Sequence, residues 1–117
     1  MTRVLIADDQ RIVREGVRKI LATDVSVTVV GEAVDGPNAL ELARKLRPDL
    51  ILLDNSMPGL SGLDVARILA RELPEIGIVF LTVDPGSRDL ALAAGATTYV
   101  QKDAPADELR RAVWASS

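Results

Sequence analysis

The sequence contains no cysteine and no histidine. Without thiols there is no disulfide framework, no thiolate zinc site and no dithiol redox motif. Without imidazole, a Ser-His-Asp triad and a phosphohistidine carrier are excluded. Any bound metal must then take oxygen ligands, which points to a hard cation such as Mg²⁺. Aromatics are scarce: Phe80, Tyr99 and Trp114 are the whole set, too few for a base-stacking platform. No apolar run approaches the roughly 18 residues of a membrane span. A net charge of −3 argues against holding nucleic acid by bulk electrostatics. No direct DNA binding is expected of residues 1–117, and Arg110-Arg111 reads as a solvated helix surface. Met1-Thr2-Arg3 leads at once into a strand-like run, so no signal peptide is expected and the protein reads as cytoplasmic.

What remains is an ordinary globular composition. The 117 residues are 48% hydrophobic and 26% charged, which predicts one domain over residues 1–117. Short apolar runs at Val4–Ala7, Val27–Val30, Leu50–Leu53, Ile78–Leu81 and Thr97–Val100 are mostly continuous rather than alternating, as in parallel strands covered on both faces. Between them lie stretches of helical period. Ile12, Val13, Val17, Ile20 and Leu21 form one stripe; Ala39, Leu40, Ala43 and Leu46 a second; Leu63, Ala66, Ile68, Leu69 and Leu73 a third. Leu90 to Ala94 is a weak fourth, and Leu109, Val113 and Trp114 mark the last. Pro37 suits a first helical turn, Pro48 and Pro74 end helices, and Pro105 opens the fifth. Alternating strands and helices imply right-handed crossovers and a three-layer α/β/α sandwich.

The informative polar residues sit just after the apolar runs. Asp8-Asp9 follows the first, Asp54 the third, Thr82 the fourth and Lys102 the fifth. In a parallel open sheet these ends share one edge, where such folds bind ligands. Taken singly, an Asp there is as readily a turn former or helix cap, a Lys is ordinarily solvated, and a Thr is a strand residue. Together they mean more. Carboxylates at contact distance repel by roughly 4 kcal/mol per pair at an intermediate dielectric, which a divalent cation would offset. A carboxylate can also attack phosphorus to give an aspartyl phosphate, with a metal, a cation and hydrogen-bond donors to stabilise the transferred group. No nucleotide-binding glycine motif is present, so ATP bound by this chain is not the expected donor.

With these residues in order, the sequence resembles a response-regulator receiver domain over nearly its whole length. The motifs are Asp8-Asp9, the segment Asp54-Asn55-Ser56-Met57-Pro58-Gly59-Leu60-Ser61-Gly62, Thr82, Ala94-Gly95-Ala96, and Tyr99 with Lys102. Asp8 through Gly16, with Gly31-Glu32-Ala33 and Asp35-Gly36, resembles the NarL/FixJ type, whose members usually carry a C-terminal helix-turn-helix. The resemblance implies a flavodoxin-like fold with a five-stranded sheet of order 2-1-3-4-5. It implies that a sensor histidine kinase phosphorylates Asp54. Mg²⁺ would be ligated by Asp9, Asp54 and the Ser56 backbone carbonyl, with Asp8 acting through a water. Thr82 and Tyr99 match the switch pair, and Lys102 the phosphate-binding lysine. The chain would then be a switch rather than an enzyme. It would act on its own or a separate output domain, with transcription through a DNA-binding helix-turn-helix domain beyond residue 117 as the implied output.

Two departures stand out. Lys102 follows Thr82 by 20 positions, about two fewer than the family pattern implies. Asp84-Pro85-Gly86-Ser87 are all turn formers, so a shortened, mobile fourth helix is expected, with partner contacts and self-association moved to the first and fifth helices near Ile12 and Trp114. Thr98 also stands where a small residue is usual, and with Val83 it is expected to tighten access to the pocket. Two other readings compete. One is a receiver-like interaction module that works without phosphorylation. The other is a Mg²⁺-dependent phosphohydrolase, weakened by Ser56 standing where the second acid belongs.

Overall fold

The computed structural model describes residues 1–83, 86 and 88–116. Strands β1 (Thr2–Ala7), β2 (Val27–Ala33), β3 (Leu50–Asp54), β4 (Gly77–Thr82) and β5 (Thr98–Gln101) alternate with helices α1 (Arg11–Leu21), α2 (Gly36–Leu46), α3 (Gly62–Glu72), α4 (Arg88–Ala93) and α5 (Ala106–Ser116). All strand pairs are parallel, in the order β2-β1-β3-β4-β5.

The continuous apolar runs have a direct cause. Strand side chains alternate between faces, and here both faces are covered. Leu5, Ala7, Ile51, Leu53, Ile78 and Phe80 join the core under α2, α3 and α4. Val4, Ile6, Leu50, Leu52, Val79 and Leu81 join the one under α1 and α5. β3, at the centre, is buried from Leu50 to Asp54.

The caps follow the sequence chemistry. The Asp35 side chain accepts from the Asn38 N–H at 2.7 Å, with Pro37 in the first turn of α2. Ser61 accepts from the Asp64 N–H at 3.2 Å and starts α3. Asp107 and Glu108 occupy the first turn of α5, where the helix dipole favours them.

The periodicity needs correction in two helices. Ile12 does not join the core: α1 buries Val17 and Leu21, and Ile12 is 79% exposed. Residue 12 lies about 100° round the helix from Val13, beyond the edge of the buried stripe. In α4 neither leucine turns inward. Ala91 and Ala94 are buried while Leu90 and Leu92 face solvent, because spacing of three, not two, keeps residues on one face. At six residues, α4 is the shortest helix, against 11 for each of the others. Asp84, Pro85 and Ser87 of the expected turn lie outside the described residues. Trp114 is only half-buried at the end of α5, and its indole N–H donates to Asp24 Oδ2 at 2.6 Å.

Candidate functional site

Strand register assembles the site. Ala7 of β1 is level with Leu53 of β3, so the next residue on each strand, Asp8 and Asp54, emerges side by side. Asp54 is level with Leu81 and Thr82 with Gln101, which brings Thr82 and then Lys102 to the same edge. The Lys102 N–H donates to the Thr82 carbonyl at 2.8 Å and fixes that approach.

Asp8, Asp9 and Asp54 each offer an oxygen within 4.8 Å of the others. Asp8 and Asp54 are buried and Asp9 is exposed. The Lys102 ammonium lies 2.8 Å from Asp8 Oδ2 and 3.1 Å from Asp54 Oδ1. Asp8 Oδ1 accepts the Gln10 N–H at 2.8 Å, and Asp54 Oδ1 accepts the Ser56 N–H at 3.2 Å. Asp8 Oδ1 is thus satisfied, but Asp8 Oδ2 has only its ion pair with Lys102, and both it and Asp54 Oδ2 are buried without a hydrogen bond among the described residues. One ammonium thus pairs with the two buried carboxylates of a three-carboxylate cluster, and two of its buried oxygens lack a hydrogen bond. A hard divalent cation supplies what this set is missing, so the residues fit Mg²⁺.

The electrostatics agree. Burial, followed by the Asp8 charge, pushes the Asp54 carboxyl above its ordinary value despite Lys102 and the Ser56 N–H. Burial alone would lower the Lys102 ammonium, but its bonds to Asp8 and Asp54 hold it above its ordinary value.

Asp9, Gln10, Asp54, Ser56, Thr82, Val83 and Lys102 line an open cleft of about 190 Å³. Val83 is 78% exposed and forms part of its rim. Tyr99 is not part of the cleft wall; it packs beside the core under α2–α4, level with Phe80. Alternation puts Thr82, two residues beyond Phe80, on the same sheet face as Tyr99.

Gln10 and two glycines were not evident as site residues in the sequence. Gly62 donates its N–H to the Asn55 carbonyl at 3.0 Å, and an added Cβ would overlap the Asp54 carbonyl oxygen. Gly36 abuts the Leu60 carbonyl in the same way. These close approaches pull the loop after β3 against its neighbours, and glycine in that loop was the only available signal. Gly62→Ala is expected to cost about 1–3 kcal/mol by overpacking, read as a lowered midpoint in urea unfolding.

The family model described as the response regulator receiver domain matches residues 4–114. Among curated proteins, the response regulator GacA of Pseudomonas aeruginosa is 41% identical over 116 residues, covering 97% of this chain and 54% of GacA. The nitrate/nitrite response regulator protein NarP of Escherichia coli is 41% identical, covering 98% of this chain and 54% of NarP. The chain spans about half the length of these relatives. Among solved structures, the signal receiver domain of the putative response regulator NarL from Mycobacterium tuberculosis superposes with a TM-score of 0.89 at 40% identity, covering 97% of this chain and 93% of that one. The isolated receiver domain of RcsB from Salmonella enterica serovar Typhimurium, solved in the presence of phosphomimetic BeF₃⁻, gives 0.87 at 30% identity, covering 94% and 83%.

Proposed function

Because the chain belongs to the response regulator receiver domain family and is of NarL/FixJ type, we propose that it is a switch operated by phosphorylation of Asp54. The observation that carries this reading is the buried Asp54 carboxylate with one unpartnered oxygen, set among Asp8, Asp9 and Lys102. An Asp54 oxygen attacks the phosphorus of a phosphohistidine on a partner sensor kinase. The new O–P bond forms as the N–P bond breaks, and the electron pair leaves with the imidazole. Asp9, Asp54 and the Ser56 carbonyl would hold Mg²⁺ directly, and Asp8 through a water. Bound there, the cation would offset charge on the phosphoryl oxygens.

Lys102 is placed to pair with a phosphoryl oxygen once Asp54 carries one. Thr82 lines the same cleft, and Tyr99 shares its sheet face. Movement of this pair is the proposed route from the site to the output surface. Transcriptional control through a helix-turn-helix domain beyond residue 117 is consistent with the relatives being roughly twice this length. RcsB bound to a promoter in the presence of BeF₃⁻ is a related example, with a TM-score of 0.89 at 30% identity. A cytoplasmic location and self-association through α1 and α5 complete the proposal. No helix among the described residues is long and apolar enough to cross a membrane.

Acetyl phosphate and Mg²⁺ are expected to add one phosphoryl group to the intact protein, with peptide mapping placing it on Asp54 and EDTA preventing it. Absence of labelling would favour the phosphorylation-independent interaction module. Mg²⁺ titration by NMR should separate the two adjacent acids. With Asp9 bound directly and Asp8 through a water, Asp9→Asn is expected to lose on the order of tenfold more affinity than Asp8→Asn. Equal losses would contradict these roles.

A further inference from the structure

Arg14 and Glu32 form a pair with no role assigned so far. Arg14 rises from the start of α1, and its side chain is only 13% exposed. Nε donates to Glu32 Oε1 on β2 at 3.2 Å, and Nη1 donates to the main-chain carbonyl of Asp8 at 2.8 Å. Arg18 Nη2 lies 2.8 Å from the other Glu32 oxygen. On its opposite side, Asp8 donates its N–H to the Ala33 carbonyl at 3.1 Å.

The Asp8 carbonyl and the Asp9 N–H belong to one planar peptide unit. A donor that holds the carbonyl restrains the shared plane, and so ψ of Asp8 and the backbone from which the Asp9 side chain departs. The planar guanidinium, anchored by a carboxylate on a second element, makes two directed bonds at once.

We infer that Arg14, oriented by Glu32, is a positioning residue that aims the Asp9 carboxylate at the cation site by holding the Asp8–Asp9 peptide. The inference rests on the reading of Asp9 as a direct Mg²⁺ ligand. Its signature is the sign of the effect. Removing a positive charge beside three carboxylates would by charge alone tighten cation binding. Freeing the peptide weakens it, by on the order of tenfold for a contact that orients a ligand.

The test is a Mg²⁺ titration of the chain, followed by calorimetry and by the NMR signal of the Asp9 amide. Arg14→Met keeps the apolar stem and removes every donor, and is expected to bind Mg²⁺ on the order of tenfold more weakly than wild type. Arg14→Lys, which can reach the carbonyl but not both partners, should fall between them. Arg18→Met removes an ion pair to the same Glu32 without touching Asp8, and should stay near wild type even where its thermal midpoint falls. Unchanged or tighter binding by Arg14→Met, or an equal loss in Arg18→Met, overturns the inference. Should Arg14→Met not fold, intermediate binding by Arg14→Lys supports the inference and wild-type binding overturns it. Failure of the wild type to bind Mg²⁺ strikes down the metal reading itself, and this inference with it.

Discussion

Asp54→Asn is expected to abolish phosphoryl uptake completely and, in the same protein, to stabilise the metal-free fold. The first effect follows from losing the nucleophilic carboxylate. The second follows from what holds Asp54 above its ordinary carboxyl value of 3.8, namely burial and then the Asp8 charge. A carboxyl raised on folding contributes stability that is fully present below its unfolded value. That contribution is lost as pH rises through the higher folded value. At neutral pH and without a divalent cation, ionised Asp54 therefore costs stability, and a neutral amide of the same shape removes that cost. A gain in stability is expected, read as a raised Tm. The gain should fade as pH drops toward 4 and reverse in sign or vanish with saturating Mg²⁺. Thermal unfolding in EDTA and in Mg²⁺ across this range measures both conditions. A lowered midpoint at pH 7 in EDTA would contradict the account, and phosphoryl uptake by Asp54→Asn would remove Asp54 as acceptor.

Lys102→Met should move stability further, in the opposite direction. The ammonium lies within 3.1 Å of carboxylates at the ends of two strands, and its removal leaves both buried charges without it. Breaking a buried pair from one side costs about 3–5 kcal/mol. The lower end is expected here, since Asp54 can take up a proton. Added Mg²⁺ should recover much of the loss, so the thermal shift produced by the cation should exceed that of wild type. The loss should also shrink in acid as the carboxyls protonate. Wild-type stability of Lys102→Met in EDTA at pH 7 would show that the two ion pairs contribute little.

The site was legible because the chemistry-bearing residues directly follow the strands. Asp8, Asp54, Thr82 and Lys102 each mark the end of an apolar run, and parallel pairing gathers such ends on one edge. Register then does what sequence alone cannot: the pairing of Ala7 with Leu53 is what sets Asp8 beside Asp54. Side-chain hydrogen bonding was not readable either. That Asp8 Oδ1 is satisfied while Asp8 Oδ2 and Asp54 Oδ2 lack a hydrogen bond depends on Gln10 and Lys102 reaching particular atoms. Arg14 is one arginine among several on a helix until its contact with the Asp8 carbonyl is seen. Ile12 was grouped with the apolar stripe of α1 although it faces solvent, because an apolar residue carries no mark of the side on which its helix meets the sheet.

The bond between Trp114 and Asp24 has a practical consequence. Trp114 is the sole tryptophan, and the end of α5 lies against Gly77, where β4 begins. The acidic cluster lies at the other end of the sheet, about 16 Å away along a six-residue strand. Indole emission is thus a gauge of whether the C-terminal helix remains moored, separated by the length of a strand from what happens among the carboxylates. One sample can then answer two questions independently: fluorescence follows the integrity of the scaffold, and the Asp9 amide signal follows occupancy of the acidic cleft.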